Sequence, residues 1–209
     1  IVVLIALFGM YLYTYRRKLL YNLRHMLFFT ILMALLIATA FLVLRHVSAG
    51  YIYLLPFAWV PIIARVFYDS RTAIFIHWIT ILVISIAAPA PYVFILLQVI
   101  TGIVAVISLR DMTQRAQLAQ TALFVFLTYS VVYTATTMLV TGDIMNVEYH
   151  YYIYFAINAV LVICAYGLIF LFERTFGLVS NITLVELTNV NSNLMLEFAE
   201  KAPGTFQHS

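Results

Sequence analysis

The chain has 209 residues, of which 65% are apolar and 9% charged, with a formal net charge of +3. A soluble domain is roughly 45–50% apolar and about 25% charged, so a soluble domain is excluded, and disorder with it, because disorder needs low hydrophobicity. The single cysteine, Cys164, excludes a disulfide scaffold, and a mean hydropathy of +1.05 puts the chain in a bilayer.

A spanning helix needs about 20 residues. The apolar runs, in chain order, lie near residues 1–15, 26–44, 51–68, 72–88, 92–109, 117–140 and 151–173. The expected fold is an all-α integral membrane protein: a seven-helix transmembrane bundle with short loops and a short cytoplasmic helical tail. The first run covers about 22 Å of a ~30 Å hydrocarbon core. It reads as a spanning helix whose outer end is truncated, with more protein upstream. It is not a signal peptide, because the basic cluster Arg16, Arg17 and Lys18 follows the run instead of preceding it. The third run contains Pro56 and Pro61. They read as a packed proline bend, or alternatively as a kink whose freed carbonyls bind something. Asp69 and Ser70 separate this run from Arg71 of the next, so the two helices must form an antiparallel hairpin.

Orientation follows from the basic residues. With the amino end outside, the inner loops hold Arg16, Arg17, Lys18, Arg24, Arg71, Arg110, Arg115 and Arg174, whereas the outer loops hold Arg45 together with the acidic Asp143 and Glu148. That bias places the carboxyl end in the cytoplasm. Tyr149, Tyr151, Tyr152 and Tyr154 suit the outer interface where the last span enters. The net charge reflects topology and gives no reason to expect nucleic acid as a partner.

Ionisable and amide side chains at membrane depth are the candidate functional residues. Arg65 lies three residues before Tyr68 and can snorkel to the cytoplasmic interface. His77, one and a half turns into the fourth span, reads first as a neutral histidine bonded to a neighbouring helix, and second as a ligand- or pH-sensing group. Gln98 in the fifth span and Asn158 in the seventh are expected to be interhelical hydrogen-bonding residues. Thr134, Thr136 and Thr137 are expected to bond back to their own helix, and Glu173 with Arg174 to close the last span as an interfacial ion pair. The spans carry no mid-depth carboxylate of the kind a coupled transporter uses. Nucleophile elbows, Walker loops, dinucleotide fingerprints and His-Glu-x-x-His are missing. No two of the five histidines have metal-ligand spacing on one helix, and Cys164 reads as buried in an apolar run. The chain itself is expected to catalyse nothing and to bind no cofactor.

The last stretch changes character. Leu184, Val185 and Leu187, then Leu194, Met195 and Phe198, suit two short amphipathic helices joined by a turn at residues 189–193. Pro203-Gly204 ends the second, and Thr205 can cap a new element.

Three stretches carry a family resemblance: Glu-Arg-x-Phe-Gly at 173–177, Leu-Val-Glu-Leu-Thr-Asn-x-Asn at 184–191, and Ala-Pro-Gly-Thr-Phe-Gln-His-Ser at 202–209. They resemble the membrane-to-catalytic junction of the bacterial seven-transmembrane HD proteins, the PgpH-type cyclic-di-AMP phosphodiesterases. Thr188 stands where serine is common in that family, and Val190 where proline is common. The resemblance implies three parts: residues 1–173 as the seven-span domain, 174–201 as cytoplasmic linker helices, and 202–209 as the start of an HD phosphohydrolase domain. It implies that His208 is the first ligand of a dinuclear metal site, whose two divalent ions (Mn or Fe) would be held by a complete HD domain. It implies an extracellular domain upstream and the bacterial inner membrane as location. The implied role is a membrane-anchoring and signal-transducing module of a cyclic-di-AMP phosphodiesterase. Glu173, Arg174, Phe176 and Gly177 form the expected coupling segment to the hydrolase. Expected partners are the lipid bilayer, the extracellular and HD domains, a small-molecule ligand outside and a second copy of the chain. Two readings from other classes remain at this point: a small-molecule transporter or channel subunit, and a passive anchor.

Overall fold

The computed structural model describes residues 2–109, 117–180 and 183–184. Among them the chain forms eight α-helices and no strand: α1 Val2–Tyr15, α2 Arg17–Leu20, α3 Leu23–His46, α4 Trp59–Phe67, α5 Ser70–Ser85, α6 Pro91–Ser108, α7 Gln117–Thr141 and α8 His150–Phe176. A 3-10 segment, Ala49–Leu54, precedes α4, and a short one, Ile144–Asn146, joins α7 to α8.

All seven apolar runs are helical, and the proline-containing run is split. Five are long and apolar enough to cross a membrane: Leu23–His46, Ala49–Phe67, Pro91–Ser108, Gln117–Thr141 and His150–Phe176. The chain is an all-α membrane bundle. The other two apolar runs form shorter helices, α1 and α5, with 14 and 16 residues. At 1.5 Å per residue α5 reaches only about 24 Å. It lies inside the bundle, packed on α1, α3, α4 and α6, and even Thr72, His77 and Thr80 are buried along it. Trp78, Leu82 and Ile86 remain exposed on its other side.

Several local boundaries have a chemical cause. Asn22 caps α3, its Oδ1 accepting the Arg24 N–H at 3.0 Å, so the helix begins at Leu23, ahead of the apolar run. Pro91 at the first position of α6 needs no N–H partner. Gly177 ends α8 in the left-handed conformation at φ +62°. A two-residue link, Tyr68 and Asp69, turns the chain from α4 into α5.

The proline-containing run breaks as a packed bend. Residues 55–58 separate the 3-10 segment from α4, leaving backbone carbonyls without helical partners. Asn158 of α8 fills them: its Nδ2 donates to Tyr53 O at 3.2 Å and Leu55 O at 2.7 Å. Trp59 answers in the other direction, its indole N–H donating to Leu161 O at 2.7 Å. These bonds pin α8 to the broken span. The helices α6, α7 and α8 then pack in sequence, and α8 returns against α4 and the 3-10 segment.

The outer surface is apolar, as lipid contact requires. Val131, Leu139, Val160 and Phe170 all point outward. Cys164 does too, which corrects the expectation that it is buried; an uninterrupted apolar run gives no sign of which face of α8 looks inward.

Candidate functional site

Two places collect the polar residues. The first is a buried node between α5, α6 and α7. On α6, Gln98, Thr101, Gly102 and Ala105 are all buried, a spacing of three, one and three that keeps them on one helical face. His77 of α5 meets this face. Its Nε2 lies 2.9 Å from Gln98 O. A carbonyl can only accept, so Nε2 carries the proton and donates. The Gln98 side chain turns to α7, where its Oε1 accepts the Tyr129 hydroxyl at 2.6 Å. Tyr129 is stacked on Phe155 of α8, with ring centroids 5.1 Å apart. One backbone carbonyl and one amide thus join α5, α6 and α7, and an aromatic stack carries the connection to α8.

The node is tight. A Cβ placed on Gly102 would fall 2.2 Å from His77 Nε2, so the imidazole lies directly on the α6 backbone. Only a residue without a side chain allows that approach. Some polar atoms remain without a hydrogen-bond partner: His77 Nδ1, Gln98 Nε2, Thr101 Oγ1 and, near the broken span, Asn158 Oδ1.

The second place is the end of the bundle where α8 stops. Phe28 of α3 is its centre, with Phe67 at 5.3 Å, Tyr68 at 5.6 Å, Phe172 at 5.2 Å and Phe176 at 5.8 Å between ring centroids. The Tyr68 hydroxyl is 2.7 Å from His25 Nδ1, and Arg65 Nη1 donates to Tyr68 O at 3.2 Å. On the neighbouring side Arg16 pairs with Asp69 at 2.8 Å, and the Thr72 hydroxyl donates to the same carboxylate at 2.6 Å. Burial raises the Asp69 pKa, but the Thr72 and Arg16 interactions outweigh it and hold the carboxyl below its ordinary value.

Past Gly177 the chain folds back on α8. Glu173 Oε1 accepts from Ser180 N at 3.0 Å and from the Thr183 hydroxyl at 2.7 Å. Ser180 Oγ in turn accepts the Thr183 N–H at 3.2 Å, as a helix N-cap does. Glu173 therefore uses its carboxylate on the segment that follows the bundle, which corrects the expectation of an ion pair with Arg174.

The structure brings His77 and Gln98 together and separates both from Asn158 and Arg65, which serve the broken span and the Tyr68 turn. Thr134 and Thr136 bond back to Ser130 O and Val132 O, as expected of them. Of the tyrosines expected at the outer interface, Tyr151 packs on Tyr53 and Tyr133, while Tyr149 is exposed. The sequence reading did not single out Gly102 or Tyr129. A tyrosine at mid-span needs a hydrogen-bond partner, and that signal pointed to Tyr129; Gly102 becomes informative only opposite His77. His208, Arg110, Arg115 and the two amphipathic segments after Leu184 lie outside the described residues.

Among the described residues, no group of three His, Cys, Asp or Glu side chains converges to hold a metal ion.

No solved structure matches the chain significantly. Two curated relatives do. The cyclic-di-AMP phosphodiesterase PgpH of Listeria monocytogenes serotype 1/2a (strain 10403S) is 31% identical over 174 residues, covering 77% of this chain and 23% of that protein. The protein of the same name from Bacillus subtilis (strain 168) is 30% identical over 123 residues, covering 56% of this chain and 17% of that protein. The chain thus spans about a quarter or less of the length of these relatives. The profile of the family described as 7TM receptor with intracellular HD hydrolase matches residues 1–180. With that match over nearly the whole bundle, the chain belongs to the family of seven-transmembrane receptors with an intracellular HD hydrolase.

Proposed function

We propose that this bundle is the anchoring and signal-transducing module of a cyclic-di-AMP phosphodiesterase, and that it passes an external signal to a cytoplasmic HD domain. In this reading residues 1–173 form the membrane domain, 174–201 the linker, and 202–209 open the HD domain. The amino end is outside the bacterial inner membrane and the carboxyl end is inside. His208 is the first metal ligand of the HD domain, and two divalent ions complete that site. The names of the two relatives support the activity.

The observation that carries the reading is the bond pair from Glu173 to Ser180 and Thr183. A helix that ended in an unattached tail would pass little motion onward. Here a carboxylate on the last turn of α8 grips the next segment across the Gly177 bend, so a shift of α8 must move that segment too. His77 is the candidate inside the bundle for sensing, since its node touches α6 directly and α8 through Tyr129 and Phe155.

The test uses the full-length protein in membranes. Glu173→Ala should change hydrolysis of cyclic di-AMP while leaving membrane insertion intact, and Glu173→Gln, which keeps an acceptor oxygen, should change it less. A series of single-residue insertions near Gly177 should alternate in effect. Unchanged hydrolysis across both sets would overturn the coupling and leave a passive anchor. His77→Ala in the same assay should alter the response to signal.

A further inference from the structure

An apolar groove of about 310 Å³ opens on the flank of the bundle between α3, α4 and α8. Ile31, Leu35, Trp59, Ile63, Leu168 and Phe172 line it, and it ends at Thr175 and Phe176. Along α8 the lining runs from Leu168 to Phe176, about 12 Å at 1.5 Å per residue. That is close to the hydrocarbon depth of one leaflet, about half of ~30 Å. A groove of this kind facing lipid has no water to fill it.

Just beyond Phe176 lies a second recess of about 300 Å³, lined by Asn22, Arg24, His25, Tyr68 and residues 177–179, with Phe67 at its wall. The two are aligned. Arg24, Ile31 and Leu35 are spaced by seven and four residues, so they share one face of α3. The Arg24 guanidinium reaches the end of α8, with Nη1 3.6 Å from where a Cβ on Gly177 would lie. Neither lining contains a carboxylate. Among the described residues no acidic side chain pairs with Arg24. The combination is a leaflet-deep apolar trough with, at its interfacial end, a cation that no acidic side chain among the described residues neutralises.

We propose that this site holds a phospholipid with an anionic headgroup, one acyl chain lying in the groove and its phosphate on Arg24. A purely apolar partner would leave the guanidinium unused. A zwitterionic lipid would add an ammonium next to it. An anionic lipid satisfies both ends, and it would lie against Phe172 and Phe176 at the end of α8. The inference is independent of whether the bundle controls a hydrolase, and its test reads binding alone.

The chain contains two tryptophans, and Trp59 lines the groove. Trp78→Phe therefore leaves Trp59 as a single reporter. The protein is placed in nanodiscs of phosphatidylcholine containing a small, equal fraction of either brominated phosphatidylglycerol or brominated phosphatidylcholine, and quenching of Trp59 is measured. The expected result is preferential quenching by the phosphatidylglycerol of about fivefold, the effect of one basic residue at a lipid surface. Arg24→Gln should abolish the preference, and Arg24→Lys should keep most of it, which separates charge from any loss of fold. Equal quenching by the two lipids would overturn the proposal in favour of ordinary boundary lipid. Quenching by neither would overturn it in favour of a groove closed by a second copy. A preference that survives Arg24→Gln would overturn the role of Arg24.

Discussion

Gly102→Ala gives the sharpest test of the buried node. The added methyl would lie 2.2 Å from His77 Nε2, 2.3 Å from Cδ2 and 3.1 Å from Cε1. Ordinary carbon contacts need about 3.5 Å or more, so the ring and the α6 backbone must part by roughly 1 Å or more. The imidazole has little freedom to yield, because it is fully enclosed and bonded to Gln98 O. Overpacking of this kind costs about 1–3 kcal/mol. Losing the His77 bond adds about 0.6 kcal/mol, and at most about 1.7, for an interhelical hydrogen bond within a membrane. The better helix propensity of alanine offsets at most about 1 kcal/mol. The steric term therefore decides the sign, and Gly102→Ala should destabilise the bundle by about 1–3 kcal/mol. The assay is thermal unfolding of the purified chain in detergent, run as a double-mutant cycle with His77→Ala. In the His77→Ala background the three atoms nearest the methyl are gone, and Gly102→Ala should become neutral or mildly stabilising. Additive effects in the two backgrounds would refute the contact on which the node depends.

Other expectations follow from the same contacts. Asn158→Ala strands the Tyr53 carbonyl and leaves Leu55 O with only its Phe57 N–H bond, and should lower stability by about 1–3 kcal/mol; a loss below about 0.5 kcal/mol, the range of inert substitutions, would mean that the broken span is satisfied without α8. Asp69 has a folded-state pKa below its ordinary value, so its contribution is complete above the unfolded value of about 3.9 and disappears as pH falls through the folded value. The gap in Tm between the native chain and Asp69→Asn should therefore be steady at neutral pH and close in acid. It should also be small and sensitive to salt, because the pair with Arg16 is part-exposed; a gap that widens on acidification would contradict the assignment. Gly177→Ala forces a side chain into the left-handed region at φ +62°, costing about 1 kcal/mol. Amide exchange at Ser180 should accelerate as its bond to Glu173 loosens, and unchanged exchange would show that the fold-back does not depend on the Gly177 bend.

Much of the architecture was legible before any fold was known, because a bilayer imposes it. Unpaired backbone groups are too costly in hydrocarbon, so each apolar run has to be a helix, and its length and the polar breaks between runs set the order of elements. The split at Pro56, the cap at Asn22 and the stop at Gly177 are local chemistry, written within a few residues of where they act. The tail motifs likewise carried the family resemblance in one dimension. What the sequence withheld is the facing of the helices. Runs that are apolar all round have no stripe to mark the inner side, which is why Cys164 was expected inside and lies outside. The same symmetry hides that His77 rests on Gly102, that Tyr129 closes the Gln98 bond, and that Glu173 turns to Ser180 and Thr183 instead of Arg174. Those pairings join residues from different elements or across a bend, so they depend on helix rotation and packing distance, and only tertiary structure decides either.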